Sequence, residues 1–114
     1  MVEITNRVLK RGDIIKLQLN PKVGSEQAGF RPAIVISPLA YNQISNLILI
    51  CPITSKRKGW RFEVVLPNNM KTFGVILSDQ IKTVDCSKRE AIFIESSSIK
   101  LVDEVLAKIK TLTN

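Results

Sequence analysis

Arg31 and Lys56 are the charged residues on either side of a 24-residue stretch, Pro32 to Ser55, that holds no Asp, Glu, Lys or Arg. Thr54 and Ser55 close that stretch. An arginine beside an uncharged core segment either snorkels from a rim or points into a site. If the two apolar runs within the stretch pair antiparallel, Arg31 at the start of one and Thr54 at the end of the other reach the same sheet edge. A guanidinium and a hydroxyl converging there could hold a phosphate.

Lys56, Arg57, Lys58 and Arg61 follow at once, with Gly59 and Trp60 among them. Four cations and an aromatic in six positions offer phosphate contacts and a stacking surface. As plain structure, the same residues make a basic hairpin turn with a locally packed tryptophan. Residues 20–31, NPKVGSEQAGFR, form the longest non-strand segment before the core and carry Glu26, Gln27 and Arg31. Such a loop in a small domain is either functional or a solvated surface connection. Asp79 and Gln80 interrupt an apolar strand, so their side chains either satisfy buried backbone or face a cleft.

The chain has no histidine. That removes Ser-His-Asp, Cys-His and paired-histidine ribonuclease chemistry. Two cysteines without histidine fall short of the four ligands that structural zinc takes, so no metal or other cofactor is expected. Cys51 and Cys86 belong to no motif, and Cys51 reads as a small core residue.

The elements that must position these groups are mostly strands. Ala33 to Ile36 and Leu47 to Ile50 are short aliphatic runs bounded by Pro32, Pro38, Asn46 and Pro52, which favours buried strands. Residues 39–45 between them form a single helical turn or an irregular crossing. Further strands are predicted at 13–19, ending at Asn20-Pro21, and at 61–66, 74–81 and 91–94. Their number and spacing predict a small barrel or curled sheet. Ile99, Val102, Leu106, Ile109 and Leu112 then recur at helical intervals, with Ser98 as N-cap, so a C-terminal helix is expected to cap the barrel's open end.

A length of 114 residues argues for one domain, 1–114. The composition, 45% hydrophobic and 24% charged, is that of a globular chain rather than a disordered one. No apolar run reaches the roughly 18 residues of a membrane helix, and residues 1–16 lack a signal-peptide core. A cytoplasmic protein with reduced thiols is expected. The formal net charge of +7 suits a nucleic-acid partner, although it also fits a merely soluble basic protein.

From Arg11 to the C-terminus the chain resembles the MazF/PemK/Kid toxins, MazF most closely. The resemblance is carried by RGDIIKL (11–17), NPKVGSEQAGFRPAIVISP (20–38), YNQ (41–43) and CPITS (51–55). It continues in KGWRFEVVLP (58–67), GVILSDQIKTVD (74–85) and AKI (107–109) of the terminal helix. It implies a mainly β, SH3-like barrel with a C-terminal helix, usually a homodimer. It also implies a type II toxin–antitoxin function: metal-independent, sequence-specific cleavage of single-stranded RNA that arrests growth. A cognate MazE-like antitoxin would block the groove with a partly disordered tail. The family's catalytic arginine and threonine fall on Arg31 and Thr54, and its loop glutamate on Glu26. Kid-like members carry histidine where this chain has Ser25 and arginine where it has Leu77. Some MazF proteins carry histidine where it has Phe30. Mechanisms through those groups are closed here.

What remains is attack of a ribose 2′-hydroxyl on its own 3′-phosphate, expelling the 5′-oxygen. Arg31 neutralises the phosphoryl oxygens, Thr54 hydrogen-bonds them, and Glu26 or Asp79 is the conceivable base. Gln27, Ser55, Lys56, Arg57, Lys58, Trp60 and Gln80 complete the candidate RNA-binding or site-shaping set. Two other classes stand beside this one: a non-catalytic toxin of the same fold, acting as a gyrase poison, and a plain RNA- or DNA-binding barrel. Retention of both Arg31 and Thr54 favours the enzyme over the first. The GSEQAGFRP segment favours it over the second.

Overall fold

The protein's structure, a computed structural model, describes residues 1–20 and 23–114. Pro21 and Lys22, within the predicted loop 20–31 and at the end of the first predicted strand, lie outside the described residues.

A short hairpin opens the chain: β1 (Glu3–Ile4) pairs with β2 (Arg7–Val8) across Thr5 and Asn6. Both turn residues have positive φ, 50° and 64°, as the tightest hairpins require. Next come β3 (Asp13–Gln18), β4 (Phe30–Val35), helix α1 (Leu39–Ile44), β5 (Ile48–Thr54), β6 (Glu63–Val65) and β7 (Val75–Leu77). A 3-10 turn at Ser78–Gln80 leads to β8 (Lys82–Val84), and a second at Cys86–Lys88 to β9 (Ile92–Ser96) and helix α2 (Ile99–Thr113).

Seven strands form one antiparallel sheet in the order β6-β7-β5-β4-β3-β9, with β8 on the first half of β5. Among the described residues the hydrogen-bonded path is open, ending at β6 and β9. The fold is thus mainly β with a C-terminal helix, as predicted, in a curled sheet without a closed ring of hydrogen bonds.

The uncharged stretch has a direct cause. Alternate residues of a strand face opposite sides of a sheet, and here both sides are buried. Ile15, Leu17, Ala33, Val35, Ile48 and Ile50 face one apolar cluster, which Val2, Leu9 and Cys86 cover. Ile14, Ile34, Cys51, Ile53, Val64 and Ile76 face a second, closed by Leu101, Val102 and Val105 of α2. A strand buried on both faces has no position that water can reach, so β4 and β5 tolerate no charge in their interiors.

Two local expectations change and one open alternative closes. The predicted strand 74–81 holds one strand, β7, and then the 3-10 turn at Ser78–Gln80; β8, beyond the predicted range, pairs with the other end of β5. Residues 39–45 take the helical alternative. Helix α2 is capped as expected, the Ser98 hydroxyl accepting from the Leu101 amide at 3.2 Å. Of the predicted stripe, Val102 is buried and Leu106 and Ile109 pack against the second cluster, but Ile99 is 80% exposed and the neighbouring stripe of Leu101 and Val105 is buried with Val102. The 3.6-residue period alone did not separate these two stripes. No helix among the described residues is long and apolar enough to cross a membrane.

Candidate active-site groove

Antiparallel pairing of β4 with β5 sets Ala33 opposite Pro52 and Ile34 opposite Cys51. Two residues further along that register, Arg31 is level with Thr54. Both line one groove of about 780 Å³. Arg31 is exposed, and its Nε donates to the Ala28 carbonyl at 3.1 Å, a contact that leaves the terminal amino groups unused. Thr54 is buried, and its Oγ1 accepts from the Lys56 amide at 3.2 Å. A hydroxyl that accepts from the backbone keeps its own hydrogen to donate.

One wall is the loop before β4. The backbone amide of Gln27 donates to Gln80 Oε1 at 3.1 Å, fastening this loop to the 3-10 turn. Glu26 is paired with Lys82 at 3.4 Å. The turn itself supplies Asp79 and Gln80, so both alternatives stated for that pair hold: Gln80 satisfies backbone, and both residues line the groove.

The facing wall is the loop between β5 and β6, with Lys56, Lys58, Gly59 and Trp60 in the lining. Trp60 Nε1 donates to Asp79 Oδ2 at 3.0 Å, bridging the two walls. The Glu63 carboxylate accepts from the amides of Lys58, at 3.2 Å, and Gly59, at 3.1 Å. Gly59 has φ +77°, a left-handed conformation that glycine adopts without steric cost. Among the described residues the lining holds three cations, Arg31, Lys56 and Lys58, and three carboxylates, Glu26, Glu63 and Asp79. Each carboxylate already receives a proton donor of the protein.

Of the residues singled out in the sequence, Ser55 and Arg57 are not in the lining, although they neighbour Thr54 and Lys56 in the chain. Arg61 is absent too; its guanidinium lies 5.9 Å from the centre of the Phe62 ring. Glu63 and Leu77 line the groove without having been singled out as working groups. The signal for Glu63 was available: it is the lone acid after four cations, on the strand face opposite Val64. Cys51 is buried beneath the turn, its Sγ 4.0 Å from the Ser78 carbonyl. Burial, and then the charge of Asp79, pushes its thiol up to about 12. It is a core side chain and not a nucleophile.

The class of protein is shown by comparison with known families. Residues 10–113 match the family described as PemK-like, MazF-like toxin of type II toxin–antitoxin systems, and the chain belongs to that family. The endoribonuclease toxin MazF of Escherichia coli K12 is 42% identical over 88 residues, 77% of this chain and 78% of that protein. The crystal structure of MazF from Deinococcus radiodurans superposes with a TM-score of 0.89 at 37% identity, covering 95% of this chain and 98% of that one. A MazE–MazF crystal structure from the same species gives 0.84 at 37% identity, covering 95% and 97%. The chain is therefore a member of an endoribonuclease toxin family.

Proposed function

We propose that residues 1–114 act as one toxin domain that cuts single-stranded RNA at short sequence motifs, without a metal, in the cytoplasm. The observation that carries this reading is the meeting of Arg31 and Thr54 in one groove between two polar loops. The substrate brings its own nucleophile, the ribose 2′-hydroxyl, so holding that oxygen in line with the phosphorus and the leaving 5′-oxygen supplies much of the acceleration. As negative charge grows on the phosphoryl oxygens, the free amino groups of Arg31 and the hydroxyl of Thr54 meet it. Arg31 remains protonated throughout and is no base. Of the three groove carboxylates, Glu26 or Asp79 takes the 2′-hydroxyl proton, and the departing 5′-oxygen takes a proton from solvent. DNA, without a 2′-hydroxyl, is spared.

The purified protein, incubated with a long RNA in EDTA, should give a discrete ladder of fragments, and the same RNA with 2′-O-methyl riboses should stay intact. An uncut RNA, or cleavage only after magnesium is added, would sink the proposal.

The family resemblance and the MazE–MazF relative support a cognate MazE-like antitoxin as the protein partner, lying over this groove and blocking it. A homodimer belongs to the same reading. It is supported by large apolar side chains left in water, among them Ile44, Phe73 and Ile99. Sedimentation at micromolar concentration should give twice the chain mass of 12.8 kDa; a single-chain mass would count against it.

A further inference from the structure

We propose that Trp60 is the surface on which a nucleobase of the bound strand stacks, and that Asp79 is a positioning residue that sets the plane of its ring. This rests on the RNA-cutting reading above and adds what holds a base in the groove. Trp60 leaves 51% of its surface in water although it is the largest apolar side chain in the protein. Exposure of that size commonly accompanies a mobile ring, yet here the ring has two contacts and its backbone is tied on either side. Its Nε1 donates to Asp79 Oδ2 at 3.0 Å, a bond strengthened by the carboxylate's charge. Phe62 backs it at 5.5 Å between ring centres, tilted by 60°. The backbone is tied on both sides of it, by Glu63 at the Lys58 and Gly59 amides and by Lys108 Nζ at the Arg61 carbonyl, 2.6 Å.

An aromatic face already fixed in position gives up little conformational freedom when a base settles on it. Lys56 and Lys58 line the same groove, where they can meet the phosphates of a strand whose base stacks on the ring. Stacking accepts any base, so this contact contributes affinity and leaves the choice of cleavage motif to the polar groups of the loops. The three groove carboxylates then each brace the walls: Glu63 shapes the loop's backbone, Asp79 orients its tryptophan and Glu26 is paired with Lys82.

Trp60 is the only tryptophan in the chain, so intrinsic fluorescence reports on it alone. The probe is a single-stranded eight-nucleotide DNA, which binds without being cut. Its affinity is read by anisotropy of a labelled copy, and stacking by quenching of Trp60 with an unlabelled one. Quenching should saturate along the binding curve. Trp60→Ala should weaken binding on the order of tenfold. Trp60→Phe, which keeps a ring but loses the N–H, and Asp79→Ala should each weaken it a few-fold. The double variant should be no worse than either single one, because both remove the same bond. Asp79→Asn keeps an acceptor oxygen and should keep the quenching. With cleavable RNA, Asp79→Ala should raise KM and Asp79→Asn, which keeps an acceptor for the Trp60 N–H, should hold it near wild type whatever either does to kcat, and circular dichroism controls for folding. Binding without quenching, or additive losses in the double variant, overturns the proposal. If wild type cuts RNA while Trp60 stays unquenched, only the stacking surface falls; if it neither binds nor cuts, both readings fall.

Discussion

In the proposed mechanism, charge divides the work between the two side chains that meet at the ends of β4 and β5. Arg31 brings a fixed positive charge and a planar pair of donors, whereas Thr54 brings one neutral hydroxyl. Arg31→Ala should lower single-turnover cleavage on the order of 100- to 1000-fold while the protein stays folded, because an exposed side chain at a strand start carries little of the core. Thr54→Ala should lose less, since a neutral donor makes the weaker bond. Arg31→Lys should remain badly impaired, because an ammonium does not reproduce a two-pronged contact with phosphate. Folded Arg31→Ala that cuts within a few-fold of wild type would move the site elsewhere. The cysteines give a second residue-level test. Burial is the main cause that lifts both thiols, Cys51 to about 12 and Cys86 to about 11, from an ordinary value of 9.0. A raised thiol favours the folded state fully below the ordinary value and loses that contribution as pH climbs through the folded one. Neither cysteine should react with a thiol reagent at pH 8 in the native protein. Stability to urea should decline between pH 9 and 12, and the double Cys→Ala variant should show a shallower slope. Prompt labelling at pH 8 would mean that these side chains are accessible.

At the level of the elements, the close approach of β7 to β5 decides where Thr54 stands. Gly74, with φ +118°, begins that approach, and an added Cβ there would run into the Thr54 carbonyl. Gly74→Ala therefore combines a left-handed backbone with a collision against another backbone, at a cost of about 2 kcal/mol or more. The melting temperature should fall on the order of 10 °C, and cleavage should fall further than the lost stability explains, because Thr54 moves. An unchanged melting temperature would show that β7 yields easily. The strands around this contact were legible in the sequence wherever burial imposed a pattern. The uncharged stretch became β4 and β5, and alternation of Phe62, Val64 and Leu66 marked β6. What escaped notice was set by backbone geometry. The hairpin at Thr5 and Asn6 has strands of two residues, too short for any period. At Ser78–Gln80 the polar residues marked an interruption of the apolar run, but residue types alone do not say that the chain turns there. The groove followed the same rule. Arg31, Thr54 and the basic loop were visible as residue types, whereas the role of Glu63 depends on a turn that brings its carboxylate back to the Lys58 and Gly59 amides.

For the whole molecule, +7 is less informative than its placement. Lys56 and Lys58 line the groove, while Arg57 and Arg61, in the same run, do not. Replacing Lys56 and Lys58 together by alanine should flatten the salt dependence of single-strand binding by about 0.7 per lost contact. The Arg57 and Arg61 pair should change the slope by less. Equal changes would show that the strand runs along the outside of this loop. Rigidity follows a related division. Arg31 and Thr54 stand on strands clamped by apolar packing on both faces, whereas Glu26, Gln27, Lys58 and Trp60 sit on two surface connections held by a handful of polar bonds. A molecule built this way is a cutting tool with interchangeable jaws. Exchanging the segments 23–29, with Glu26 kept, and 56–61 for those of a relative should redirect the nucleotides at which RNA is severed and leave the rate at a well-seated bond nearly as it was. New specificities are then reachable by drift in two short stretches around a fixed Glu26, with no need to rebuild the strands that carry Arg31 and Thr54.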